Sequence, residues 1–258
     1  MRAGDGIVTE RAAGLLSGPW CNDISKEIIR YNGLRKSLRG HLLLDSGSLA
    51  IHEQRCMALS GRNGAGKSTL MRIIAGLESP DSVAVTCEGI SMPWKRACQK
   101  MRNHIIYLHQ QPYLFDRSVT DNIAYGLRRQ GLSVKEISRK VPEALDWAGI
   151  AHLQLRNARE LSGSERQRVA FARARILSPR VLLLDEPTAN MDSEAREQAH
   201  RMIKRLKQDG VSILLSTHEF LTIAHLCDAH LSLQSGSLHP QTIARKNSDR
   251  KIIPLQAH

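Results

Sequence analysis

The chain has 258 residues, 41% hydrophobic and 24% charged, with a mean hydropathy of -0.31. This is ordinary globular composition, which excludes disorder or a fibre as its overall description. Lysine plus arginine total 37 against 25 acidic residues, a net charge of +12 that favours anionic partners, while 4% aromatic content argues against a stacking platform for single-stranded nucleic acid.

No run approaches the ~18 apolar residues that span a bilayer. Five widely spaced cysteines without a C-x-x-C pair read as reduced thiols rather than disulfides or a metal site. Residues 1–25 mix charges with glycines and have no continuous apolar centre, so they read as a poorly ordered lead-in and not as a secretory signal. Residues 28–31 and 49–51 read as short strands flanking a basic loop at 32–40. Residues 55–60 form a buried strand that runs into a glycine-rich turn, followed by a helix over 67–76 that a glycine closes. The apolar run 105–108 precedes Gln110, Gln111 and Pro112, and helical periodicity over 133–158 predicts a helical lobe. A helix from Ser162 ends before Pro179, and the apolar strand 181–184 follows. A helix over 193–208 and a strand over 211–215 come next, then a polar, basic tail over 238–258. Apolar strands alternating with amphipathic helices predict an α/β fold with a parallel sheet covered on both faces.

The chemistry begins at Gly61-Arg62-Asn63-Gly64-Ala65-Gly66-Lys67-Ser68-Thr69, a full phosphate-loop pattern between a strand and a helix. Its glycines let backbone N–H groups curl around a phosphate chain at a helix N-terminus. Lys67 is expected at the β and γ phosphates, and the Ser68 hydroxyl on a magnesium ion. The strand 181–184 then ends in Asp185 and Glu186, at the sheet edge where open α/β sheets bind ligands. Asp185 is expected to hold magnesium through water, and Glu186 to polarise the water that attacks the γ phosphate.

With these motifs in place, the stretch from about Tyr31 to Gly236 resembles the ATP-binding cassette (ABC) ATPases. Leu161-Ser162-Gly163-Ser164-Glu165-Arg166-Gln167-Arg168 is similar to the family signature, usually LSGGQ followed by basic residues. The stretch from Leu184 to Asp192 is similar to the family's acid strand and the loop after it. The resemblance implies a RecA-like P-loop NTPase sheet with a small antiparallel β subdomain and a helical subdomain inserted at about 91–157, the whole domain covering 26–237. It implies that Gln110 senses magnesium and contacts the transporter, that His218 is the switch histidine, and that Asp192 belongs to the D-loop. It also makes Tyr31 a candidate for stacking on adenine, the alternative being packing.

By the same resemblance, two copies enclose two ATP molecules, each between the phosphate loop of one and Ser162, Gly163, Ser164 and Glu165 of the other. The implied cofactors are ATP and Mg2+. The implied partners are a transmembrane permease subunit, a second copy, and a substrate-binding protein reached through the permease, with no direct nucleic acid. The implied location is the cytoplasmic face of a membrane, as a peripheral subunit. Ser164 and Glu165 depart from the usual glycine and glutamine; a serine keeps the N–H but loses glycine's freedom at φ > 0 and adds bulk, so binding is expected to survive, at most weakened. The segment Gln110-Gln111-Pro112-Tyr113-Leu114-Phe115 and the ending Thr188-Ala189-Asn190-Met191-Asp192 are similar to ATPases of tungstate, molybdate or phosphate importers. Tyr113, Leu114 and Phe115 either pack under the helical lobe or line a groove for the permease. The other readings are a soluble ABC protein acting on nucleic acid or ribosomes, and another P-loop hydrolase or kinase. The first lacks the paired cassettes or long coiled coil, and the second leaves the signature unexplained.

Overall fold

The structure, a computed structural model, describes residues 26–243. The chain opens with a long hairpin, β1 (Glu27–Leu38) and β2 (His41–His52), then β3 (Cys56–Ser60), α1 (Lys67–Ile74), β4 (Ser82–Cys87), β5 (Ile90–Met92), α2 (Trp94–Met101) and β6 (Ile105–Leu108). Next come α3 (Val119–Arg129), α4 (Val134–Trp147), α5 (Gly163–Arg175), β7 (Val181–Asp185), α6 (Ser193–Gln208), β8 (Ser212–Thr217), α7 (Phe220–Ile223), β9 (Ala229–Gln234) and β10 (Ser237–Gln241).

These strands form two sheets. One is antiparallel in the order β2-β1-β4-β5; the other runs β10-β9-β3-β8-β7-β6, parallel from β9 to β6 with β10 antiparallel at its edge. All five residues of β7 are buried, as a strand covered on both faces requires. Alternation along the central strands splits the core. Leu182, Leu184, Ile213 and Leu215 pack towards the face that carries α3, α5 and α6, and Leu59, Leu183 and Leu214 pack against α1 and the antiparallel sheet. The parallel register places the C-terminal ends of β3, β8 and β7 side by side, which fixes where three separate motifs meet.

Four expectations change. The stretch 32–40 is mostly strand, because Arg39 and Gly40 at φ 52° and 80° make a tight two-residue turn that lets β1 and β2 pair almost throughout. The region 91–157 is not all helical: Ala97 and Met101 of α2 pack into the core of the antiparallel sheet, and β6 pairs with β7 in the parallel sheet. The expected tail boundary at 237/238 falls inside β10, which pairs with β9 over Ser237 to Gln241. Tyr31 is a core residue, 2% exposed, with its hydroxyl donating to the Ile74 carbonyl at 3.2 Å, so its ring is not free to stack on adenine.

Cys56, Cys87, Cys98 and Cys227 are free thiols, as the cysteine pattern predicts; Cys21 and the lead-in lie outside the described residues, as does the tail beyond 243.

Candidate active site

The phosphate loop leaves β3 through Gly61, where a Cβ would stand 2.6 Å from the Leu233 carbonyl oxygen; only glycine fits. Gly66 caps α1 at φ 101°, a left-handed conformation, and Leu43 and Leu44 of the hairpin close over it. Lys67, the first residue of α1 and 5% exposed, donates to the Gly61 carbonyl at 2.8 Å and lies 3.3 Å from a Glu186 carboxylate oxygen. A buried ammonium requires such partners.

Glu186 stands just past β7 at φ 44°, left-handed backbone that a residue with a Cβ adopts only when its surroundings enforce it. Here the enforcing contact is its N–H, which donates to the Ser216 hydroxyl at 2.9 Å. The two carboxylate oxygens divide their contacts: Oε1 faces Lys67, and Oε2 lies 3.0 Å from Nδ1 of His218 at the end of β8. Lys67, Glu186 and His218 thus form one continuous chain from the start of α1 across the ends of β7 and β8.

Asp185 is 3% exposed and its oxygens accept from the Ser216 hydroxyl at 2.6 Å and the Tyr107 hydroxyl at 2.7 Å. Burial, then the carboxylate beside it, push the Tyr107 phenol well above its ordinary pKa, so it remains a donor. Neither Tyr107 nor Ser216 stands out in the sequence; each is a polar residue at the end of an apolar strand, which is the only signal available.

Ser68, Gln110, Lys67 and Glu186 line one cavity of about 410 Å³. Gln110 also lines a second, of about 510 Å³, with Ser162, Gly163, Ser164 and Asp192. Gln110 therefore stands between the phosphate loop and the signature of the same chain. Serine hydroxyl, glutamine amide and aspartate carboxylate are hard oxygen donors, and no group of three His, Cys, Asp or Glu side chains gathers among the described residues. Such oxygen donors are the type Mg2+ takes, an ion that dehydrates reluctantly and shares its coordination with substrate phosphates.

Ser162 caps α5, accepting from the Glu165 N–H at 3.3 Å, while the Glu165 carboxylate accepts from the Ser162 N–H at 2.8 Å. That N–H holds the Glu165 carboxyl below the usual carboxylate range. Ser164 lies in the first turn of α5 with φ in the ordinary negative range, so the expected loss of glycine's freedom has no structural basis at this position. Asp192 caps α6, accepting from the Ala195 N–H at 2.8 Å.

The loop after Gln110 divides its three apolar residues. Tyr113 is 73% exposed, Leu114 packs against the core, and half-buried Phe115 contacts the Tyr113 and Tyr125 rings at 5.7 and 4.5 Å. Leu114 follows the packing alternative, while Tyr113 stays on the surface. Asn122, fully buried, fixes the Phe115 backbone from both sides.

Three comparisons bear on this geometry. A family profile described as ABC transporter matches residues 44–189, more than half of the chain. The chain belongs to the ABC transporter family. Within that family, it is 37% identical over 209 residues to a tungstate uptake system ATP-binding protein of Peptoclostridium acidaminophilum, covering 81% of this chain and 95% of that protein. It is 30% identical over 228 residues to an Fe(3+) ions import ATP-binding protein of Pasteurella multocida, 86% of this chain but only 63% of the relative. Among solved structures, cbiO1 of Clostridium perfringens, part of the ABC transporter complex cbiONQ, matches with a TM-score of 0.75 and 27% identity over 83% of this chain and 87% of its own. The chain is thus an ABC ATPase, and ATP is the nucleotide its phosphate loop serves. Among the described residues, no helix is long and apolar enough to cross a membrane.

Proposed function

We propose that this ABC ATPase energises an importer from the cytoplasmic face of a membrane, and that Glu186 activates the water that attacks the γ phosphate while Lys67 and His218 fix the reacting groups. The observation that carries this reading is the Lys67–Glu186–His218 chain, in which the Glu186 carboxylate lies 3.3 Å from Lys67 at the start of α1 and 3.0 Å from His218 just past β8. Lys67 answers the charge of the β and γ phosphates. Glu186, already hydrogen-bonded to His218, takes the proton of the water. His218 orients that carboxylate and senses the γ phosphate. Phosphoryl transfer leaves little covalent work for the protein, so positioning and charge carry the catalysis. Ser68, Gln110 and Asp185 are the residues that would hold Mg2+, which when bound neutralises phosphate charge.

A second copy completes the site: its Ser162, Gly163, Ser164 and Glu165 face the ATP held by the first. The exposed Tyr113 and the Phe115 edge take a short helix of the permease, through which a substrate-binding protein acts. The cargo we assign is an oxyanion, tungstate first, supported by the relative whose length this chain nearly spans. Reconstitution with the cognate permease in vesicles tests this. ATP-dependent tungstate uptake that molybdate competes for is expected; uptake of ferric ion or polyamine instead overturns the cargo, and no association with any multi-spanning membrane protein overturns the importer reading.

A further inference from the structure

The contacts around Lys67 and Glu186 extend to β9. There His230 is buried, 8% exposed, and its Nε2 lies 2.7 Å from the hydroxyl of Ser60, the residue before Gly61. Its ring is stacked on Phe220, two residues after His218, with centroids 3.6 Å apart and planes 13° from parallel. The other ring nitrogen, Nδ1, is buried without a partner.

A polar ring in such a place carries a desolvation cost that a valine or isoleucine would not. The Nε2–H tautomer, donating to Ser60, leaves Nδ1 as a bare lone pair and avoids burying an unpaired N–H. The register that puts His230 there is itself fixed. Asp228 accepts from the Cys56 N–H at 2.9 Å, and its own N–H donates to the Cys56 carbonyl at 2.7 Å, which sets β9 against β3. The segment between His218 and Phe220 is equally held: Thr217 accepts from the Glu219 N–H at 2.9 Å and Thr222 donates to the Glu219 carbonyl at 2.8 Å.

Followed through, the contacts close a ring. Ser60 leads to Gly61, whose carbonyl accepts from Lys67; Lys67 meets Glu186; Glu186 meets His218; and the backbone from His218 reaches Phe220, which stacks on His230, which returns to Ser60. We infer that His230 is a positioning residue for ATP hydrolysis, clamping the segment that carries His218 to the base of the phosphate loop. It touches no substrate. Its effect is to hold two separately encoded loops in one geometry, so that Glu186 keeps its place between Lys67 and His218.

The inference rests on the proposed roles of Glu186 and His218, and the experiment separates the two. His230→Val removes both the hydrogen bond and the stack but keeps a residue suited to a strand. Ser60→Ala removes the bond alone, and His230→Gln can restore it without the ring. Steady-state ATPase of the full chain, measured well below each variant's melting midpoint, is expected to show kcat lowered roughly ten- to a hundredfold in His230→Val, the scale of a small misplacement of reacting groups. KM for ATP should stay within about twofold, because ground-state binding is not what the clamp serves. Ser60→Ala should fall in the same direction, Ser60→Ala combined with His230→Val should be no slower than His230→Val alone, and His230→Gln should recover part of the loss. An unchanged kcat in His230→Val, a rise confined to KM, or additive losses would overturn the inference. If His230→Val does not fold, Ser60→Ala and Phe220→Leu decide, and both must lower kcat for the clamp to stand. Glu186→Gln is assayed in parallel: if it alone keeps its activity, the reading of the site fails rather than the clamp.

Discussion

The phosphate-loop centre and the signature region of the chain are built on opposite plans. At the ends of β3, β7 and β8 the polar groups bind one another across strands: buried Lys67 is held by Gly61 and Glu186, and Glu186 keeps left-handed backbone under the grip of Ser216. At the start of α5 the polar groups are satisfied locally and face outward. Ser162 and Glu165 cap each other, and Ser162 and Gly163 are exposed. The first region is assembled by the sheet from distant parts of the chain. The second is a locally capped helix end, to which the proposed function gives a ligand held by another copy.

Lys67→Ala attacks the assembled region at its buried cation and carries a larger expected effect than any change in the signature or the loop after Gln110. ATPase activity should fall at least ~10²-fold, as when a preorganised charge is removed from a transition state, and Glu186 is left to face His218 alone. Wild-type turnover at saturating ATP would remove Lys67 from the site. Ser162→Ala tests the outward region. It should cost about 1 kcal/mol of helix capping, read as a lowered melting midpoint, and lower ATPase while ATP binding by the isolated chain, followed by nucleotide titration, stays as before. Unchanged turnover despite the lost cap would mean that the signature serine reaches no phosphate.

The smallest change in turnover belongs to the loop between the regions. Phe115→Ala and Tyr113→Ala should leave the isolated chain hydrolysing ATP, yet each should weaken assembly with the permease, an aromatic anchor contributing ~2 kcal/mol or more at an interface. Normal copurification and transport by both variants would exclude this loop from docking.

The regions differ also in how they were legible. The phosphate loop, the acid strand and the signature are runs of adjacent residues obeying local rules: glycines where the backbone curls, carboxylates where a strand ends, serine and glutamate spaced for a capping box. Such features survive translation from sequence to structure. What did not survive depended on partners distant in the chain. Tyr31 reads as either an adenine-stacking ring or a packing residue until the fold puts Ile74 against its hydroxyl. Residues 32–40 read as loop because Arg39-Gly40 lacks the asparagine or aspartate that usually marks a tight hairpin turn. Tyr107, Ser216 and His230 belong to no motif legible along the chain, and their contacts span 30 to 170 residues.

The central claim, that the assembled centre of one copy works only against the presented helix end of another, is tested most directly with Glu186→Gln. The substitution keeps size and removes the carboxylate, so hydrolysis should fall ~10² to 10⁴-fold, the range for a lost general base, while ATP still binds. Because hydrolysis is what reopens the pair, this variant should migrate on a sizing column as a dimer when ATP and magnesium are present and as a monomer without them. A variant that binds ATP tightly with magnesium and remains monomeric would contradict the account.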